Sequence, residues 1–257
     1  MIIYIVHIWD EYIIVGSPSN LQPGSAYLFK YNGTKWNEVR NLRNSEFDQG
    51  SSVVIRNISA FVGGSLSVSI YYKNPTPPPT GAPTTSPTTS KPSSTPTTSP
   101  TSSKPSNAPS LTPTMAPTFL EAALWNTQDK VGGTSVSRFG SSTAINQDET
   151  VAVIGAPQYN SNQGAIYIYR KFYHAWIQVQ GPVTGTGNTG PAQQGTSVAI
   201  WNTTIVFGGP VDASSAGRVW IFDYDGISAW TQTQTIFGTG QSTDAQQGFS
   251  LGIYNDT

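Results

Sequence analysis

A short motif that recurs along the chain constrains its fold more than any other feature of the sequence. The motif is a glycine with a serine two places later and an isoleucine five places later. Its copies begin at Gly50, Gly140, Gly195 and Gly248. A period of about fifty residues is typical of repeat architectures, in which each unit buries its apolar faces only against its neighbours.

Two further anchors follow the motif in a constant order. The first is an apolar run that ends in glycine and a turn residue, at Phe61–Ser65, Val153–Pro157 and Val206–Pro210. The second is an alternating strand that opens with glycine and leads to tryptophan, at Gly24–Trp36, Gly164–Trp176 and Gly217–Trp230. Hairpin signals such as Asn32-Gly33 precede the tryptophan. Each repeat therefore predicts one four-stranded antiparallel sheet, which must stack on its copies as the blades of a β-propeller do.

The first residues of the chain continue this pattern. Ile8–Pro18 aligns with Ile200–Pro210 without a gap. Ile3 stands where the leading glycine belongs, so we expect the chain to begin after the true start of its domain. The anchors place blades at 1–46, 47–74, 137–192 and 193–245, with the start of another at 246–257.

A segment of different composition interrupts the repeats at 75–118. Of its 44 residues, 13 are proline and 22 are serine or threonine, and none is aromatic or acidic. Proline at this density prevents helices and sheet ladders, so the segment predicts a disordered linker or an O-glycosylated spacer. The sequence thus predicts partial blades at 1–74, the linker at 75–118, and partial blades at 119–257.

Trp125 leaves one boundary open. It resembles the tryptophan of a fourth strand, so residues 119–136 either complete the second blade across the linker or open a new domain. We favour the new domain, which makes the chain two blade segments separated by a disordered linker.

With these anchors the repeats resemble the FG-GAP family, whose blades form the propellers of integrin α-chain heads and of many microbial and algal surface proteins. Phe139-Gly140 and Gly155–Pro157 match both halves of the family's name, whereas Gln194-Gly195 is a looser copy. The resemblance implies an all-β fold of four-stranded antiparallel blades. The repeats are fewer than the blades of an integrin-like propeller, so the implied ring is incomplete.

A kelch-type propeller is the competing resemblance. Gly208-Gly209, Tyr224-Asp225 and Trp230 also resemble a kelch unit. The recurring glycine, serine and isoleucine of the leading strand favour FG-GAP.

Members of the FG-GAP family often carry calcium in the loop between the two named anchors. A hard cation needs several oxygen ligands from one compact loop. Here the corresponding loops supply Asn57 alone, Asn202 alone, and Asn146 with Asp148 and Glu149. We therefore expect tight hairpins without a metal or other cofactor, with Asp148 and Glu149 as the only plausible calcium donors.

Four asparagines begin N-x-Ser/Thr sequons, and all four lie on predicted turns. They are Asn32, Asn57, Asn202 and Asn255. Beside a mucin-like segment and in a chain without cysteine, these sequons predict a glycosylated secretory protein. We expect an extracellular, cell-surface or cell-wall location, although no signal peptide is visible at the N-terminus.

Composition excludes several classes of function. The absence of cysteine excludes a disulfide scaffold, a thiolate metal site and a cysteine nucleophile. A formal charge of -1 provides no basic footprint for nucleic acid or an anionic membrane, and no apolar run is long enough for membrane insertion. The two histidines, His7 and His174, lack triad-like neighbours, and no catalytic residue can be nominated.

These observations favour a non-enzymatic surface protein whose blades bind protein or glycan partners through their loops. Two alternatives remain open. The chain could be the accessory propeller region of a larger secreted enzyme such as a hydrolase, or a kelch-type interaction propeller.

Overall fold

Extended chain and tight turns make up nearly all of the computed structural model, which describes residues 5–19, 24–43, 50–74, 125–132, 137–173, 175–239 and 242–254. These residues form four antiparallel sheets of four strands, each with its strands in chain order. The prediction of an all-β fold with one such sheet per repeat is confirmed.

The strands of the first two sheets alternate with short turns. Sheet 1 contains β1 (Ile5–Trp9), β2 (Tyr12–Ser17), β3 (Ser25–Tyr31) and β4 (Trp36–Leu42). Sheet 2 contains β5 (Ser52–Arg56), β6 (Ser59–Gly63), β7 (Ser67–Lys73) and β8 (Trp125–Gly132).

The third and fourth sheets each carry a short helical turn between their second and third strands. Sheet 3 contains β9 (Ser142–Ile145), β10 (Val151–Ala156), α1 (Tyr159–Asn162), β11 (Ala165–Phe172) and β12 (Ala175–Val183). Sheet 4 contains β13 (Ser197–Trp201), β14 (Thr204–Gly209), α2 (Asp212–Ser215), β15 (Arg218–Tyr224) and β16 (Trp230–Ile236). No helix among the described residues has the length and apolarity needed to cross a membrane.

The fourth strand of sheet 2 comes from beyond the proline-rich segment. In the β7–β8 ladder Lys73 pairs with Trp125 and Ser67 pairs with Gly132. The interpretation of 119–136 as the start of a new domain is therefore wrong for the described residues 125–132, which complete the second sheet. The parts of the chain before and after the segment belong to one compact unit. The predicted linker at 75–118 itself lies outside the described residues.

Tight two-residue turns close the first hairpin of three sheets. Asp10, Asn57 and Asn202 occupy the first position of these turns, with φ of 52°, 42° and 56°. Asparagine and aspartate tolerate this left-handed conformation better than other residues with a side chain. The corresponding turn of sheet 3 is longer, from 146 to 150.

A repeated contact links successive repeats from sheet 2 onward, and it uses the serine of the repeat motif. The hydroxyl of Ser52 donates to the carbonyl of Gly140 over 2.7 Å. The same bond joins Ser142 to Gly195 and Ser197 to Gly248, at 2.8 and 2.6 Å. We call each of these bonds, together with the glycine that it reaches, a serine–glycine clip.

A second glycine makes the clip possible. Gly63, Gly155 and Gly208 lie at or one residue before the ends of the second strands, and a Cβ on any of them would overlap the carbonyl oxygen of the next clip glycine. The clip glycines themselves have φ between +82° and +94°, a conformation that residues with a Cβ rarely adopt. The repeat motif therefore encodes the contact between sheets as well as a strand.

Apolar side chains fill the spaces between successive sheets. Tyr12, Ile14 and Leu28 pack against sheet 2, and Phe61 of sheet 2 meets Trp176 of sheet 3 with ring centroids 5.1 Å apart. Phe207 and Trp220 of sheet 4 are fully buried in the cluster shared with sheet 3. The core is thus three apolar layers, one between each pair of neighbouring sheets.

The loops at the edge opposite the first turns are held by glutamine side chains. Gln194 is fully buried, and its side-chain amide accepts from the backbone N–H of Gly185 and donates to the carbonyl of the same residue, at 2.6 and 2.9 Å. In the next repeat Gln247 accepts from Gly238 over 2.6 Å. These two glutamines stand where Phe139 stands in the third repeat, and Phe139 is buried against Tyr167.

Candidate binding cleft

A cleft of about 320 Å³ opens between sheets 3 and 4. It lies at the edge of the sheets where the first turns and the third hairpins meet, which we call the turn edge. Its lining comes from both sheets: Asn146, Asp148, Thr150, Val151, Arg170, Lys171, Phe172, Asn202, Thr203 and Trp230.

Arg170 lies on an aromatic platform beside the cleft. Its guanidinium carbon is 4.4 Å from the ring centroid of Tyr224 and 5.0 Å from that of Trp230. The two rings are themselves in contact, with centroids 4.6 Å apart. A guanidinium over an aromatic face is attracted by the ring quadrupole while its N–H groups point outward from its own rim.

Hydrogen bonds across the two sheets fix the platform. The indole N–H of Trp230 donates to the carbonyl of Thr203 over 3.0 Å. The side-chain amide of Gln180, on β12, accepts from the backbone N–H of Trp230 and donates to its carbonyl, at 2.8 and 2.9 Å. Trp230 is therefore held from sheet 3 and from its own sheet, and the orientation of its ring is set before any ligand arrives.

The turn at 146–150 forms the polar wall of the cleft. The side-chain oxygen of Asn146 accepts from the backbone N–H groups of Thr150 and Val151, at 3.0 and 2.9 Å. The hydroxyl of Thr150 donates to the carboxylate of Asp148 over 2.8 Å. These bonds hold Asp148 at the rim, where it is exposed to solvent.

Asp148 and Glu149, the two predicted calcium donors, take separate partners. Glu149 is buried and accepts from the backbone N–H of Ile58 and the hydroxyl of Ser59, each at 3.1 Å. It also pairs with Lys171 at 3.5 Å. Within the described residues, no three histidine, aspartate or glutamate side chains are grouped as a metal site would require.

Three predicted glycosylation sites lie at the turn edge. Asn57 and Asn202 are exposed in first turns, and Asn32 is exposed in the third hairpin of sheet 1. The side-chain oxygen of Asn32 accepts from the backbone N–H groups of Thr34 and Lys35, at 3.1 and 3.0 Å. Asn202 also lines the cleft. The fourth site, Asn255, lies outside the described residues.

His7 does not line the cleft. His7 is on β1, where its Nδ1 accepts from the backbone N–H of Ile55 over 3.4 Å. Burial, together with the nearby charge of Arg56, lowers the pKa of His7. His174 lies outside the described residues.

Sequence reasoning did not find Arg170, Gln180 or the cleft. One signal was available, since Arg170 ends an alternating strand at a position where the other repeats carry Lys30 and Asp223. The charge at this position is positive in the first and third repeats and negative in the fourth, so the repeat pattern does not dictate it and it can serve a local function. The contact of Arg170 with Tyr224 and Trp230 could not be predicted from the sequence, because the two rings belong to the next repeat.

A scan against models of protein families found no match to this chain, and a search of curated proteins found no similar one.

Proposed function

We propose that this chain is a non-enzymatic binding scaffold, built from FG-GAP-like propeller blades and displayed outside the cell or on its wall. The observation that carries the proposal is the cleft between sheets 3 and 4. It combines a cation on a fixed aromatic platform with polar turn side chains that open to solvent. Such a combination of a rigid wall and a few oriented polar groups suits the recognition of a protein or glycan ligand.

The packing of the sheets supports the propeller part of the proposal. Each sheet contacts the next through its first strands, and the clips repeat the same geometry at successive interfaces. Val6 and Ile8 on β1 are 58% and 59% exposed on the face of sheet 1 that is turned away from sheet 2. An apolar sheet face of this kind suits a further blade and therefore an incomplete ring.

The exposed sequons support the extracellular part of the proposal. Asn32, Asn57 and Asn202 are all exposed at the turn edge, and Asn202 also lines the cleft. A chain without cysteine also folds in an oxidising compartment without any risk of wrong disulfide pairing.

The proposal is tested with the intact chain on a glycan array and against surface proteins of defined sequence. We expect saturable binding to a restricted set of ligands, which are recovered chemically unchanged. Cleavage or modification of a bound glycan would overturn the non-enzymatic assignment. Failure to bind any glycan or protein at millimolar concentration would overturn the scaffold assignment.

A further inference from the structure

We propose that the cleft between sheets 3 and 4 binds a carboxylated sugar, such as a uronic acid, with Arg170 as the receptor for the carboxylate. This inference rests on the proposed function, since it names the ligand class of the same site. It follows from the unused donors of Arg170, the charge balance of the cleft and the polar groups around it.

Arg170 has its hydrogen-bonding capacity unused. The guanidinium carbon lies over the rings of Tyr224 and Trp230, and these contacts do not use its N–H groups as hydrogen-bond donors to an oxygen acceptor. Among the described residues, no acceptor receives a hydrogen bond from this side chain and no carboxylate lies within ion-pair distance of it. A guanidinium presents N–H donors in a fork that matches a carboxylate bidentately, so the rim is suited to that group.

The charge balance of the cleft favours a monoanion. Lys171 lines the cleft but is paired with Glu149 at 3.5 Å and lies 5.0 Å from the ring centroid of Tyr72. Arg170 is therefore the one cation of the lining without an acidic partner, and Asp148 stands on the rim. A phosphate dianion would meet the repulsion of Asp148 with only one cation to compensate for it. A single carboxylate brings half the negative charge of that dianion, so its repulsion from Asp148 is smaller and the contact with Arg170 offsets more of it.

The remaining polar groups suit sugar hydroxyls. Asp148 has a carboxylate oxygen that receives no hydrogen bond from the described residues, and it can accept from a hydroxyl. In the unglycosylated chain the side-chain amide of Asn202 is exposed and can both donate and accept. Phe172 is 47% exposed on the same lining and offers an apolar surface to the C–H face of a sugar ring.

The size and rigidity of the cleft agree with a small ligand. Its volume of about 320 Å³ lies at the lower end of the range for ligand pockets, which suits one or two sugar rings. The bonds from Gln180 and to Thr203 fix Trp230 in advance. A preorganised platform reduces the entropy lost when the ligand binds.

Ligand-observed NMR with the full chain tests the inference, using methyl glucuronide, methyl glucoside and the methyl ester of the glucuronide as probes. Protein made in bacteria avoids a glycan on Asn202. We expect the glucuronide to bind at least about tenfold more tightly than the glucoside or the ester, since both lack the charged acceptor. Equal affinities, or no detectable glucuronide binding at millimolar concentration, would overturn the proposal. Tighter binding of glucose 6-sulfate would overturn the choice of carboxylate.

Variants connect the preference to Arg170. Arg170→Gln should weaken glucuronide binding at least about tenfold and leave the weak binding of the glucoside unchanged. Arg170→Lys keeps the positive charge but lacks the forked pair of N–H donors. Its affinity for the glucuronide should lie between those of the parent and of Arg170→Gln. Lys35→Gln makes the same change of charge on an exposed hairpin outside the cleft and should bind as the parent does. Retained binding in Arg170→Gln contradicts the inference.

The two proposals fail in different ways. If ligands found on the array still bind to Arg170→Gln, the scaffold proposal is supported and the carboxylate site at Arg170 is rejected. A chain that binds no ligand at all removes both. Thermal unfolding of each variant establishes that it is folded, and the methyl ester experiment needs no variant.

Discussion

Ser52, Ser142 and Ser197 each donate one hydrogen bond from their own sheet to the carbonyl of the glycine that opens the next repeat. The position of these serines explains why the repeat motif needs a hydroxyl at its third place. The side chain is short enough to let the strands approach, and it satisfies a carbonyl in a glycine turn that belongs to no ladder.

Ser52→Ala should lower the free energy of unfolding by about 1–3 kcal/mol, because the carbonyl of Gly140 loses its donor in a buried setting. Ser228→Ala, in an exposed hairpin, should change it by less than about 0.5 kcal/mol. Urea denaturation of both variants measures the difference. Equal effects would mean that the clip adds no stability.

His7 should make the stability of the protein depend on pH. Burial, and secondarily the charge of Arg56, lowers the pKa of His7 in the folded state below the ordinary value of 6.5. Above pH 6.5 both states are neutral and stability is at its maximum with respect to this group. As the pH falls from 6.5 to the lowered pKa, the unfolded chain binds the proton more readily, so stability decreases and then levels off.

His7→Gln should remove this decrease, since glutamine does not titrate. Urea denaturation of the parent and the variant between pH 8 and pH 5 measures it, and the difference between the two curves isolates His7 from other titrating groups. A difference that does not change with pH would contradict the lowered pKa.

At the scale of elements, the strands could be predicted from the sequence and their partners only in part. Alternating apolar residues and hairpin signals were sufficient to predict the four strands and their order where a repeat runs continuously, as in sheet 4. In sheet 2 the fourth strand, which pairs with β7, lies on the far side of 75–118, and the sequence carries little information on pairing across such a distance. Trp125 suggested it, but composition argued for a boundary at the same place.

The glutamine-held loops show a different limit of prediction. Gln194 was read as a loose copy of the phenylalanine in Phe139-Gly140. In the structure it replaces a packing contact by hydrogen bonds to Gly185. The role of a glutamine depends on which backbone groups the fold leaves unpaired, and a sequence motif does not contain that information.

Gln194→Ala should loosen the loop before β13, because a buried backbone N–H and carbonyl at Gly185 lose their partner. We expect a loss of about 1–3 kcal/mol in stability and faster amide hydrogen exchange around residue 185. Gln234→Ala, on the exposed part of β16, is the matched control and should exchange as the parent does. Unchanged exchange in Gln194→Ala would contradict the role of this side chain.

For the whole molecule, the shared second sheet makes the regions before and after 75–118 parts of one folded unit. A protease site placed within 75–118 tests this. After cleavage the two pieces should migrate together in gel filtration and separate only in denaturant, because β7 and β8 remain paired. If the two pieces separate under native conditions, the regions before and after 75–118 are independent segments and the single folded unit is contradicted.

The binding cleft is also a property of the whole molecule. Arg170 belongs to one repeat, while Tyr224, Trp230 and Asn202 belong to the next. Each residue could be assigned to its own strand or turn from the sequence. Their meeting depends on how one sheet stacks on the next, which the repeat pattern predicts only in outline.

The serine–glycine clip has a consequence for how such a gene can change. Because donor and acceptor lie in successive repeats, a DNA segment that runs from one clip-glycine codon to the next encodes a complete sheet together with the serine donor for the sheet that follows. Duplication or loss of that segment keeps every remaining junction intact. Duplication or loss of part of a repeat instead leaves an incomplete sheet between a serine and its glycine, so whole repeats are the natural unit of recombination in this chain.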